Sequence, residues 1–293
     1  MTLAKAIILG IVQGITEFLP VSSSGHLAIL KYIFGIKDVG IEFDIFLHLG
    51  TLIAVVLVYY KDIWRLIKTA VKLIGCVVSN LVLAIRRLFD EEAKFTEYKK
   101  VTDTPYKRFV WMILISSIPV ALVGFFLEDY IELVSTGLLI PGICLLITGV
   151  LLLLGDAFPD GNLNMKTTKF RHSVIIGIAQ AFAALPGISR SGATISTGMM
   201  CGLNKEFAVK YSFILSVPAI LGAVIKSCVD MLQGEFVIGS NLKYYLIGAV
   251  IAAVIGYIAI RTLLVIVRHK GFKYFSIYCF VIGVLAIAGF IAL

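Results

Sequence analysis

Residues 133–155 carry no charged side chain, and neither do 109–127 or 274–293. An uncharged, mostly apolar run of about 20 residues is long enough to cross a bilayer as a helix. The stretches 45–60, 211–225 and 244–260 have the same character at shorter length. Together the six segments predict an all-α integral membrane protein with six transmembrane helices. Spanning β-strands would show short alternating segments, and these do not alternate. A chain of 293 residues that is 59% apolar and 15% charged fits the bilayer better than water.

A formal net charge of +8 raises nucleic acid as a partner, but the placement of the charges argues against it. Of 26 Lys and Arg, 20 fall in 61–108, 156–171, 203–210 and 261–273. One alternating topology puts all four connections on the same side, and the positive-inside rule makes that side cytoplasmic. The basic excess is then an orientation signal and an anchor to anionic lipid. The short loop with Glu128, Asp129 and Glu132 has no Lys or Arg and is expected outside. Within 61–108, Trp64, Leu66, Ile67, Val71, Ile74 and Leu81 interleave with Arg65, Lys68, Lys72, Arg86 and Arg87. That pattern predicts one or two amphipathic helices on the cytoplasmic face, followed by a solvated polar loop over 90–107. Cys76, Cys144, Cys201, Cys228 and Cys279 show no CxxC spacing and read as packing residues.

The chain also repeats itself. A shift of 167 positions lays Gly10-Ile11-Val12-Gln13 on Gly177-Ile178-Ala179-Gln180, and Ser22-Ser23-Ser24-Gly25 on Ser189-Arg190-Ser191-Gly192. Around these matches, 6–34 and 172–202 are each two short apolar pieces interrupted by Pro, Gly and Ser. Such paired, broken segments read as re-entrant helical hairpins and point to a binding site near the midplane. Each half, 1–155 and 172–293, is then one hairpin plus three spans. Three is odd, so the second half is inverted: the first hairpin opens outward, the second toward the cytoplasm. Broken backbone at membrane depth is tolerated only where protein or trapped water satisfies it.

The chemistry lies where the copies differ. The first holds Glu17, Ser23 and His26; the second has Ala184, Arg190 and Ala193 in those places. Gln13 and Glu17 share a helix face. A carboxylate in an apolar segment is costly without a partner, which favours a functional role for Glu17 over snorkelling or loop capping. An N-cap role explains one of Ser22, Ser23 and Ser24, and a helix start with free N–H groups is also an anion site. His26 follows Ser23 by one helical turn. The two form either a nucleophile and base or a hydroxyl beside a core histidine. Arg190 starts a helix, where the dipole disfavours a cation. Either a phosphate held by the guanidinium relieves this, or a salt bridge to Glu17 does. Ser189, Ser191 and Thr194 add donors on the phosphate reading. Glu17 repels phosphate unless a divalent cation, Mg²⁺ or Ca²⁺, lies between them, with Glu17 its protein ligand. His48 is a secondary polar contact.

Gln13-Gly-Ile-Thr-Glu17-Phe-Leu-Pro-Val-Ser-Ser-Ser-Gly-His26 resembles the (E/Q)xxxE motif and following Ser/His stretch of the undecaprenyl-diphosphate phosphatases linked to bacitracin resistance. Pro186-Gly-Ile-Ser-Arg190-Ser-Gly-Ala-Thr194 resembles that family's PGxSRSxxT motif. The resemblance covers essentially the whole chain. It implies a multi-pass enzyme of the bacterial inner membrane, with its active site on the outer side and divalent metal supporting activity. Such an enzyme removes the terminal phosphate of a polyprenyl diphosphate. By position, Glu17 becomes the essential acid, Ser23 and His26 the hydroxyl/imidazole pair, and Arg190 the phosphate-binding cation. Gln13, Ser22, Ser24, Ser189, Ser191 and Thr194 become substrate-binding residues. The rival reading is a transporter or flippase of a phosphorylated lipid or small anion, since broken helices in inverted repeats also build transporters. Apolar faces containing Gly leave a homodimer open.

Overall fold

The computed structural model describes residues 1–35, 41–127, 130–131, 137–232, 241–269 and 271–292. It is all-helical, without a strand among the described residues beyond an isolated bridge between Leu163 and Leu203. The helices are α1 (Leu3–Thr16), α2 (Ser23–Ile33), α3 (Ile41–Arg86), α4 (Pro105–Phe126), α5 (Leu139–Ala157), α6 (Phe170–Phe182), α7 (Arg190–Met200), α8 (Lys205–Leu232), α9 (Leu242–His269) and α10 (Lys273–Ala292). Six of them, α3, α4, α5, α8, α9 and α10, are long and apolar enough to cross a membrane. All five cysteines are free. The loop with Glu128, Asp129 and Glu132 lies outside the described residues.

Local chemistry sets the short helices. The Thr2 side chain caps α1, which ends ahead of Pro20. The hydroxyl of Ser22 caps α2 and that of Ser189 caps α7, each accepting from a backbone N–H three residues on. Gly187, at φ 100°, makes the turn between α6 and α7.

The two helix pairs enter from opposite ends. α3 and α9 run side by side in the same direction, with Phe43 beside Tyr245 and Ala54 beside Gly256. α1 follows α9 in that direction, Gly10 against Gly248 and Gly14 against Ala252. α4 runs back along α3: Tyr106 donates to Asp62 at 2.8 Å. α6 follows α4, from Arg108 beside Phe170 to Ser116 beside Gly177. Hence α1 and α6 point toward each other. Each packs on a span of the other half of the chain, through glycines that the repeat aligns. A Cβ on Gly10 would lie 2.8 Å from the Gly248 carbonyl, and one on Gly177 2.7 Å from Ser116 backbone. Small residues here let the helices approach closely, as membrane helix pairs require.

α3 is too long for the bilayer. Its 46 residues would measure about 69 Å as a straight helix, against about 30 Å of hydrocarbon. It breaks at Tyr59 (φ −108°, ψ 22°) and continues as a basic arm. The arm matches the amphipathic expectation in one respect: Trp64, Ile67, Val71, Ile74 and Leu81 are exposed along one stripe. The segment after it is solvated, as expected. Although much of 90–104 is exposed, it is strapped along the arm. Asn80 exchanges two 2.8 Å hydrogen bonds with the Lys99 backbone, and the Arg87 guanidinium covers the Tyr98 ring and donates to the Ala93 and Thr96 carbonyls.

Candidate active site

The turns of the two helix pairs touch. The Gly187 N–H donates to Ser24 Oγ at 3.3 Å, and a Cβ on Gly25 would stand 3.0 Å from Gly187 Cα. At this junction Glu17, the C-cap residue of α1, meets Arg190, the first residue of α7. Arg190 Nη2 donates to Glu17 Oε1 at 2.5 Å. The carboxylate is nearly buried, with its side chain 6% exposed. Its other oxygen accepts from Ser23 Oγ at 2.6 Å and from Gln13 Nε2 at 3.1 Å. The salt bridge weighed against phosphate binding is therefore present, but it uses half of the guanidinium. Arg190 Nη1 is buried and has no hydrogen-bond partner.

A carboxylate only accepts, so the Gln13 carboxamide turns its nitrogen toward Glu17. The same nitrogen lies 2.6 Å from His48 Nδ1, which must accept from it. The His48 proton then sits on Nε2. One acid thereby fixes an amide, and the amide fixes the tautomer of an imidazole on α3.

His26 is engaged elsewhere. Its Nδ1 is 2.7 Å from the Ser22 carbonyl, which can only accept, so Nδ1 carries the proton. Nε2 faces the Tyr278 hydroxyl at 2.8 Å, and the two rings lie within 5° of parallel. The expected hydroxyl/imidazole pairing is thus not the one formed: Ser23 gives its hydrogen to Glu17, and His26 pairs with α10. The reason is local. Ser22 has φ 69°, so the chain reverses there and Ser23 points back at the residue six before it.

Beside the ion pair lies a cavity of about 240 Å³, lined by Thr16, Glu17, Ser23, Ser24, His48, Gln180, Ser189 and Arg190 on its polar side and by Val120, Ala183, Ala184 and Ile188 on its apolar side. The expected residues divide. Glu17, Ser23, Ser24, Ser189 and Arg190 face the cavity. Ser22 caps α2, and Gln13 stands behind Glu17. Ser191 donates to the Leu19 carbonyl at 3.5 Å, and Thr194 to the Arg190 carbonyl at 2.8 Å with its oxygen 2.6 Å from Ser212 Oγ. Those two hydroxyls bind the turns and helices together. Thr16, His48 as a wall residue, Tyr278 and Gln180 were not singled out as site residues from the sequence. Gln180 carried a signal in its alignment with Gln13, and His48 in being a polar residue within a span.

For a divalent cation, no group of three His, Cys, Asp or Glu side chains gathers among the described residues. The cavity offers one carboxylate, Glu17, and the hydroxyl of Ser23. This donor set suits a hard cation that brings most of its oxygen ligands with it, as Mg²⁺ bound to phosphates does.

By class, this is a multi-pass helical membrane protein that presents a buried acid–arginine pair and a cluster of hydroxyls to a polar cavity. The chain belongs to the family described as bacitracin resistance protein BacA, whose model matches residues 6–285. It is 39% identical over 290 residues to an undecaprenyl-diphosphatase of Methanobrevibacter smithii, covering 99% of this chain and 98% of that one. It is also 39% identical over 295 residues to an undecaprenyl-diphosphatase of Desulforapulum autotrophicum, covering all of both chains. A third relative, from Methanosphaera stadtmanae and bearing the same name, is 37% identical over 98% of each chain.

Proposed function

We propose that this protein hydrolyses undecaprenyl diphosphate to undecaprenyl phosphate and inorganic phosphate. It thereby recycles the lipid carrier of cell-wall synthesis and confers resistance to bacitracin. The observation that carries the reading is the Arg190–Glu17 pair at 2.5 Å with Arg190 Nη1 unpartnered, directly beside a serine hydroxyl held at 2.6 Å from that same carboxylate. A scaffold needs none of this; phosphoryl transfer needs all of it: a fixed cation, a nucleophile and a proton acceptor within hydrogen-bond reach.

The head group enters the cavity and the prenyl tail lies among the apolar helices past Val120 and Ile188. The terminal phosphate takes up Arg190 Nη1, then competes with Glu17 for the rest of the guanidinium. Ser23 Oγ attacks the terminal phosphorus, its proton passing to Glu17. The Oγ–P bond forms as the bond from phosphorus to the bridging oxygen breaks, and undecaprenyl phosphate departs with that oxygen. Water then releases phosphate from Ser23. His48 presents its Nε2–H as a further donor on the cavity wall, and Tyr278 holds the His26 ring against the start of α2. Glu17 is the residue that would hold a divalent cation brought in with the diphosphate, and such a cation would supply charge neutralisation.

The opposed helix pairs are read as re-entrant hairpins of an inverted repeat. What supports this is their opposite entry and the exchange of packing partners, α1 on α9 and α6 on α4. Distance along α3 supports an outward-facing site. His48, in the cavity wall, is 13 residues or about 20 Å from Lys61, where the basic arm begins. With the arm at the cytoplasmic leaflet, the cavity lies toward the outer face of the cytoplasmic membrane.

The test uses pure protein in detergent, undecaprenyl diphosphate and a phosphate-release assay. Detergent has no two sides, so transport leaves no signal. Glu17→Ala and Arg190→Ala should each lower release by at least about 100-fold while the protein still folds. EDTA should abolish release and Mg²⁺ or Ca²⁺ restore it. Rapid quench should trap phosphoserine at residue 23. Lipid movement in vesicles without phosphate release would favour the transporter instead.

A further inference from the structure

Gln180 sits in α6 with 1% of its surface exposed, and neither its carboxamide oxygen nor its nitrogen has a hydrogen-bond partner. Buried amides are almost always satisfied, so one with both ends unmet demands an explanation. Its place supplies one. Gln180 lines the cavity together with Arg190, whose Nη1 is unmet as well. In the internal repeat it stands where the other half has Gln13, and the contrast between the two is informative. The Gln13 nitrogen is used twice inside the protein, on Glu17 and on His48. Because Ala184 replaces Glu17 in the second copy, the Gln180 nitrogen has no carboxylate to hold. Two residues that line the cavity therefore each bury an unpaired donor, a guanidinium N–H and an amide N–H, with no protein acceptor taking either.

We propose that Gln180 is a second phosphate-binding residue, working beside Arg190: its carboxamide nitrogen donates to a non-bridging oxygen of the terminal phosphate, and its carbonyl accepts from a water of the head group's hydration shell. This rests on the phosphatase reading given above and adds a residue to it. A neutral donor has a role that a second cation could not fill so well. It grips the phosphate without competing for Glu17, so the acid stays available to Ser23 when substrate arrives.

The discriminating experiment compares Gln180→Met with Gln180→Glu in the detergent assay, with melting temperature measured on the same samples. Gln180→Met keeps the shape and removes both polar ends. It should melt at or above the wild-type temperature, because an unsatisfied group has gone, while kcat/KM falls about 10- to 100-fold, the loss expected for one hydrogen bond to a charged group. Gln180→Glu removes the donor and sets a like charge against phosphate, so its kcat/KM should fall below that of Gln180→Met. The proposal is overturned if Gln180→Met keeps kcat/KM within about twofold of wild type, if it melts well below wild type, or if Gln180→Glu is the more active variant. Absence of phosphate release by the wild-type protein would instead remove the phosphatase reading itself, so the two failures are distinguishable.

Discussion

Ser22 shows how a single backbone angle organises the candidate site. It is the one non-glycine at positive φ among the described residues (φ 69°, ψ 101°), a conformation that costs about 1–3 kcal/mol. Its hydroxyl recovers part of that by capping α2. The two effects separate by mutation. Ser22→Gly relieves the backbone and loses only a few tenths of a kcal/mol of capping, whereas Ser22→Ala keeps the strain and loses about 1 kcal/mol. Thermal unfolding in detergent should find Ser22→Gly at least about 1 kcal/mol more stable than Ser22→Ala; the reverse order would mean that the turn is not strained. The same angle explains what was hidden in the sequence. Helical spacing placed Ser23 opposite His26, because spacing rules assume that the chain runs forward. The reversal at Ser22 sends Ser23 back to Glu17, and His26 finds Tyr278, 252 residues away. No local pattern announces a partner at that distance. Glu17 and Arg190 were legible because each is costly where it stands, and a costly group is visible in sequence.

At the scale of elements, the spans were legible from the absence of charge alone, and each of the six long helices overlaps the segment expected for it. The break in α3 and the strap along its arm were not legible: both depend on backbone angles and on polar contacts such as Asn80 with Lys99. Close approach at glycines helps to hold the short helices, together with burial of side chains such as Leu9 and Ile176. Gly177 seats α6 on α4 with no room for a Cβ, while Gly124, elsewhere on α4, has open space around it. Gly177→Leu should therefore lower the melting temperature and the phosphate-release rate together, with overpacking costing roughly 1–3 kcal/mol or more. Gly124→Leu, the control, should leave both within error. Equal tolerance at the two positions would show that α6 is free to move away from α4.

For the whole molecule, the native cysteines provide a topology test. Cys76 lies in the basic arm and Cys228 near the far end of α8. Cys228 is 23 residues beyond Lys205, about 35 Å along the helix, and Lys205 is tied to Asp160 at the basic side. With the other cysteines replaced, a membrane-impermeant maleimide applied to intact cells should label Cys228, and Cys76 only after permeabilisation. The opposite pattern would reverse the orientation and turn the cavity toward the cytoplasm.

The Arg190–Glu17 pair spans two segments 173 residues apart, one from each half of the chain. Neither half holds a usable set of charges by itself. On the catalytic role proposed above for the pair, hydrolytic power is withheld during synthesis until both turns have been made and have met, and a chain stalled before the second turn leaves no stray phosphatase loose among the cell's lipid phosphates.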